Sequence, residues 1–222
     1  MRAEPEVQAK GFDSGKKTVK IIAVALAVVI ALVGAIVAFS SKGKNDKSEV
    51  SNDSYEDVAK KYAKAKAEFD YKAAFKYAAG DMEQYMEDYF EYISDMQDMT
   101  LDEWYEEMEE EYNTKINSVY DVLECQAEET KEEMIDDYGK YKVKVEIVSS
   151  KELTELKLKD IIDGDEVLFD YKAVEDYIDT VKIKKGYKVK VKITIDGEDD
   201  TDSQTEEYIV VKYKGEWKVY DF

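Results

Sequence analysis

The stretch YKVKVKITI, residues 187–195, decides the fold class. Tyr187, Val189, Val191, Ile193 and Ile195 alternate with Lys188, Lys190, Lys192 and Thr194, the two-residue period of a strand with one buried and one wet face. Downstream, Asp196-Gly197 is a turn signal. TEEYIVVKY (205–213) and EWKVYDF (216–222) then supply two more strands joined at Lys214-Gly215. Upstream, KYKVKVEIV (140–148) places Tyr141, Val143, Val145 and Ile147 opposite Lys140, Lys142, Lys144 and Glu146, a second half-buried strand. Between these two strands Ser149 with Glu152 opens a mixed segment. Leu153, Leu156 and Ile161, then Tyr171, Val174, Ile178 and Val181, predict two short helices around DGDE (163–166).

Before residue 140 the period changes to three and four. Val58, Tyr62, Ala65, Phe69 and Ala73 predict one helix closed at Gly80. Asp81 with Gln84 reads as a capping box opening a second helix, whose stripe is Met82, Tyr85, Tyr89, Tyr92 or Ile93, and Met96. Thr100 with Glu103 opens a third pattern, running from Leu101 through Met108, Ile116 and Leu123 to Tyr138 and Gly139. Unbroken, it would be about 57 Å long, more than the roughly 40 Å width of a compact domain of this size. The poor helix formers of YNTKINS (112–118) are the expected break. Trp104 stands one position off the main stripe. Helices, a strand, helices, then three strands predict an α+β layer architecture with an antiparallel sheet.

The order of these elements and the closing YIVVKYKGEWKVYDF (208–222) resemble the NTF2-like, cystatin-like superfamily, whose usual final hairpin is a glycine turn followed by a Trp that packs inward. The resemblance is to its small membrane-anchored Gram-positive bacterial members, and covers residues 54–79 and 140–222. It implies a curved antiparallel sheet wrapped on helices, often with a small-molecule cavity, in a fold that hosts both enzymes and binding modules.

The N-terminal region carries a different signal. In KKTVKIIAVALAVVIALVGAIVAFSSKGK (16–44), the run Val19–Phe39 has no charge except Lys20 at its edge and is long enough, at about 31 Å as a helix, to cross a bilayer. Ala38-Phe39-Ser40 resembles a cleavage site, but the apolar run exceeds the 7 to 15 residues of a cleavable signal, so 19–39 reads as a retained transmembrane anchor. Arg2, Lys10, Lys16, Lys17 and Lys20 precede it, against Lys42, Lys44 and Lys47 after it. That bias predicts a short cytoplasmic tail (1–18) and an extracytoplasmic remainder in the cell membrane. Residues 40–53 are a polar, flexible linker holding the α+β domain (54–222) near the membrane surface. Within that domain, 54–139 is helical and acidic and 140–222 forms the sheet part.

Composition narrows function. The net charge is −20, with 28 acidic and 8 basic side chains in residues 48–139 and near balance beyond, which argues against nucleic acid as a partner. There is no histidine and one cysteine, which removes histidine general bases, His-containing zinc sites and internal disulfides. Neither DGEDD (196–200) nor DIIDGDE (160–166) follows the spacing of a calcium loop, and no cofactor is expected. With 52 carboxylates and 18 tyrosines no acid–base pair is singled out, so no catalytic residues are assigned.

Two surfaces remain as candidates. Lys142, Lys144, Lys188, Lys190 and Lys192 fall on the polar faces of two strands, a candidate basic face for anionic headgroups or wall polymers as well as an ordinary solvated sheet face. Ala23, Ala27, Ala31 and Ala35, with Gly34, repeat at the spacing that lets two membrane helices approach, a route to a homodimer. Cys125 is expected to be partly buried; if exposed, it would pair between chains. The sequence therefore predicts a non-catalytic, membrane-anchored binding or interaction module of the bacterial envelope, whose partner is an envelope protein or small ligand. A pocket enzyme of isomerase or hydrolase type and a self-associating scaffold are the alternatives.

Overall fold

The computed structural model describes residues 53–164 and 173–220. The expected anchor, its alanine stripe (Ala23, Ala27, Ala31, Gly34, Ala35) and most of the linker lie outside the described residues. Among the described residues no helix is long and apolar enough to cross a membrane.

The architecture is α+β. Among the described residues five helices come first: α1 (Tyr55–Ala67), α2 (Tyr71–Tyr77), α3 (Met82–Asp95), α4 (Leu101–Tyr112) and α5 (Val119–Tyr138). Strand β1 (Lys142–Glu152), helices α6 (Glu155–Gly164) and α7 (Val174–Tyr177), a 3₁₀ turn (Thr180–Lys182) and strands β2 (Ile183–Asp196), β3 (Thr201–Tyr213) and β4 (Glu216–Tyr220) follow. The four strands form one antiparallel sheet in sequence order.

Helix α1 begins at Ser54, whose side chain and that of Asp57 cap each other's backbone N–H groups. It crosses one face of the sheet and touches all four strands. Val58, Ala59, Tyr62 and Ala63 on α1 and Val189, Val191, Tyr208, Val210 and Val219 on the sheet are all nearly inaccessible. Tyr62 meets Tyr208 edge-on with ring centroids 5.3 Å apart. A second apolar cluster covers part of the opposite face, where α6 and α7 bring Leu158, Val174 and Ile178 against Val211, Tyr213 and Tyr220. Here Gly186 lets Leu158 pack close against β2, since a Cβ on it would stand 2.9 Å from a Leu158 methyl.

The helix expected to run to Gly80 is two helices. Phe69 adopts φ 55° and Asp70 caps α2 by accepting from the Ala73 N–H at 2.9 Å, so the chain turns a corner. Gly80, at φ 109°, lies beyond this helix end; Ala78 bridges to Val219 and the Ala79 N–H donates to the Val219 carbonyl at 2.7 Å. The long pattern breaks within YNTKINS. Asn113 takes φ 48° and Ser118 caps α5. Trp104 belongs to the core, 4% exposed, with its ring 4.8 Å from that of Phe90. Met96, expected on the α3 stripe, follows the helix end and is 70% exposed.

Strand β1 is longer than expected and continues through Glu152 instead of ending before Ser149. A β-bulge at Val148 interrupts its register with β2, so Val143, Val145 and Ile147 face α1 before the bulge and Ser150 faces it afterwards. Ser150 accordingly donates to Glu56 of α1 at 2.7 Å. The second short helix, expected over Tyr171, Val174, Ile178 and Val181, is α7 at Val174–Tyr177 followed by a separate 3₁₀ turn, and Val181 is 74% exposed. Lys214 and Gly215, at φ 48° and 96°, form the tight turn between β3 and β4.

Candidate functional site

Pairing register places the five lysines on the sheet face away from α1. Lys142 lies opposite Asp196, Lys144 opposite Thr194, and Lys192 between Glu146 on β1 and Thr205 on β3. Lys190 lies opposite Glu207 and Lys188 opposite Lys151. The face is therefore of mixed sign. Lys144 bonds Asp196, Lys188 bonds Glu207, and Lys190 stands 3.6 Å from the same Glu207 carboxylate. The bond from Lys188 and the charge of Lys190 hold the Glu207 carboxyl below its usual range. The α6 cluster bounds this face at the Gly186 end.

On the α1 side, the start of the domain carries an aromatic group the sequence reading missed. Tyr55, the first residue of α1, stacks on Tyr187 at 3.8 Å with planes 3° apart. Trp217 meets both edge-on, at 5.7 and 5.5 Å. The Lys212 and Lys185 ammonium groups stand 4.9 and 5.3 Å from the Trp217 and Tyr187 ring centres. Trp217 thus packs inward from the last hairpin, but half-buried and against tyrosines from α1 and β2.

The helical half displays the acidity. From Asp81 to Gly139 there are 22 carboxylates and two lysines. Between the end of α4 and α5 an open groove of about 400 Å³ is lined by Glu111, Asp121, Glu124, Glu128, Glu129 and Glu132, with Lys115 at its edge. Half-buried Cys125 also lines it, and burial followed by the charges of Glu128, Asp121 and Glu124 raises the thiol pKa. A thiol so placed stays protonated and is a poor nucleophile.

Burial, then Glu83, Asp88 and Asp81, raises the Glu87 carboxyl above its usual range; burial, then Glu129 and Glu107, does the same to Glu111. The folded state thus holds these protons more tightly than the unfolded chain. Stability from these groups is therefore lost as pH rises through and beyond 4.5, the ordinary glutamate value. Glu87→Gln is expected to raise the thermal midpoint at pH 7, with the gain shrinking as pH is lowered through 4.5. A gain that stays constant across that range would contradict this origin.

Asp88 is buried at 5% exposure among the α3 tyrosines. It accepts from the Tyr177 hydroxyl at 2.8 Å and the Gln84 amide at 3.1 Å. Burial and the bond to Asp88 push the Tyr177 phenol strongly up. The pair pins α7 to α3, aided by the Asp81 N–H donating to the Tyr177 carbonyl at 2.7 Å. Position 88 lies three residues after Tyr85 on the same helical face, which is the signal that marks it as inward-facing.

The DGEDD turn also has a packing role. Glu198 N–H donates to the Lys140 carbonyl at 3.2 Å and Asp199 N–H to the Tyr138 carbonyl at 3.1 Å, docking the β2–β3 turn on the end of α5. Among the described residues no three His, Cys, Asp or Glu side chains come together to hold a metal ion. Comparison with family models, curated proteins and solved structures finds no match to this chain.

Proposed function

We propose that this protein is a single-pass, membrane-anchored module of the bacterial cell envelope, with an NTF2-like domain outside the membrane that works by binding a partner. The carrying observation is the partition of charge between the two halves of the domain, with 22 carboxylates against two lysines from Asp81 to Gly139 and a near-balanced sheet part. Such a surface favours a basic envelope partner and speeds its encounter. Helix α1 laid across four strands, with a strand, helices and three strands following, supports the NTF2-like reading. The apolar run 19–39 and its lysine bias support the anchor and its orientation.

Binding is favoured over catalysis because the space between α1 and the sheet is filled by Tyr62, Tyr208 and their aliphatic neighbours. Asp88 and Tyr177, the carboxylate–phenol pair an isomerase would need, are engaged with each other and line none of the three grooves bordered by Glu111, Leu158 and Phe69. The test is protease shaving of intact cells carrying a C-terminal epitope tag. Loss of the tag while a cytoplasmic control survives is the expected result. A tag that survives until lysis reverses the orientation and removes the envelope partner.

A further inference from the structure

Strand β1 is an edge of the sheet. Among the described residues it pairs with β2 alone, and no loop or helix backbone bonds to its outer side from Lys142 to Glu152. Proteins usually guard such an edge with charge and with bulges. Here the bulge at Val148 leaves a regular segment from Lys142 to Ile147, and its charges complement themselves. In an antiparallel pair about a two-fold axis at Val145, Lys144 of each copy falls opposite Glu146 of the other. Val143 likewise falls opposite Ile147, and the two Val145 side chains meet at the axis. Parity is preserved, so the charged pairs fall on the lysine face and the aliphatic pairs on the α1 face. Lys144 and Glu146 are both exposed, and Val145 and Ile147 are only half-buried at the rim of the core. The second copy would cover what the edge leaves open.

We propose that the partner of this edge is a second copy of the chain, joined β1 to β1 into one eight-stranded antiparallel sheet. Nothing in this depends on the identity of the envelope partner or on the small residues of the apolar run.

The test is sedimentation equilibrium of the full chain in detergent. Wild type is expected to be in monomer–dimer equilibrium. Lys144→Glu and Glu146→Lys should each weaken self-association by about tenfold or more, since either change sets like charges opposite each other twice. Mixing the two variants should restore association. The new carboxylate at position 144 of the first then meets the new ammonium group at position 146 of the second, and Glu146 of the first meets Lys144 of the second. The double variant should also regain the dimer while keeping new like-sign neighbours within its own sheet, a carboxylate at 144 beside Asp196 and an ammonium group at 146 beside Lys192. That separates pairing between chains from stability within one. A monomeric wild type, or a dimer indifferent to both single changes, overturns the proposal.

Discussion

Replacing Tyr62 by Ala is expected to cost about 4 kcal/mol of folding stability, the scale of deleting a large buried aromatic side chain. Tyr62 is wholly inaccessible and lies where α1 crosses the sheet. Its ring meets Tyr208 edge-on, and Lys66, almost buried, stands 5.7 Å from its centre and 3.9 Å from Glu206. Truncation would open a cavity beneath the helix and strip the ammonium group of an aromatic neighbour. Urea unfolding followed by circular dichroism measures the loss. A cost under about 1.5 kcal/mol would mean that α1 can settle into the space, and that the α1–sheet contact is not the main core.

Gly197→Ala is expected to cost about 3 kcal/mol, at the upper end for inserting one methyl group. A Cβ at position 197 would stand 2.2 Å from the Tyr138 carbonyl oxygen and 2.8 Å from the Asp200 carbonyl oxygen. Both neighbours are backbone, so neither can rotate away. Relief requires the β2–β3 turn to lift from the end of α5, breaking the bonds from Glu198 and Asp199. Gly164→Ala is the control, because nothing lies within 4 Å of a Cβ there. Its midpoint should hold or rise slightly, as alanine favours a helix over glycine. Equal losses at the two sites would show that the docked turn is not the cause.

The strands were legible because burial on one face imposes a two-residue period that Lys-rich stretches display openly. What the sequence concealed were places where backbone geometry overrides periodicity. Phe69 continues the apolar stripe of α1, yet its positive φ ends the helix, and no composition signal marks an aromatic residue as a left-handed corner. Val148 looks like one more strand valine, yet as a bulge it reverses which residues face the helix. The Tyr55, Tyr187 and Trp217 cluster draws on α1, β2 and β4, and only the three-dimensional pairing brings those positions together. The lysine face was readable as a face; its sign was not, because Asp196 and Glu207 enter it from a strand end and from the neighbouring strand.

The contacts at the two ends of the acidic helical segment have a consequence for the order of synthesis and folding. At its start, the Ala79 N–H is satisfied by Val219 in the last strand; at its end, Tyr138 is satisfied by the β2–β3 turn. Neither partner exists until residues 199 and 219, 61 and 140 positions further on, have been made. During biosynthesis the helical segment therefore emerges with both ends open; the β2–β3 turn closes one end and β4, arriving later, closes the other. Contacts this distant in sequence slow folding, and they make the β2–β3 turn and Val219 of β4 the two latches of the helical segment.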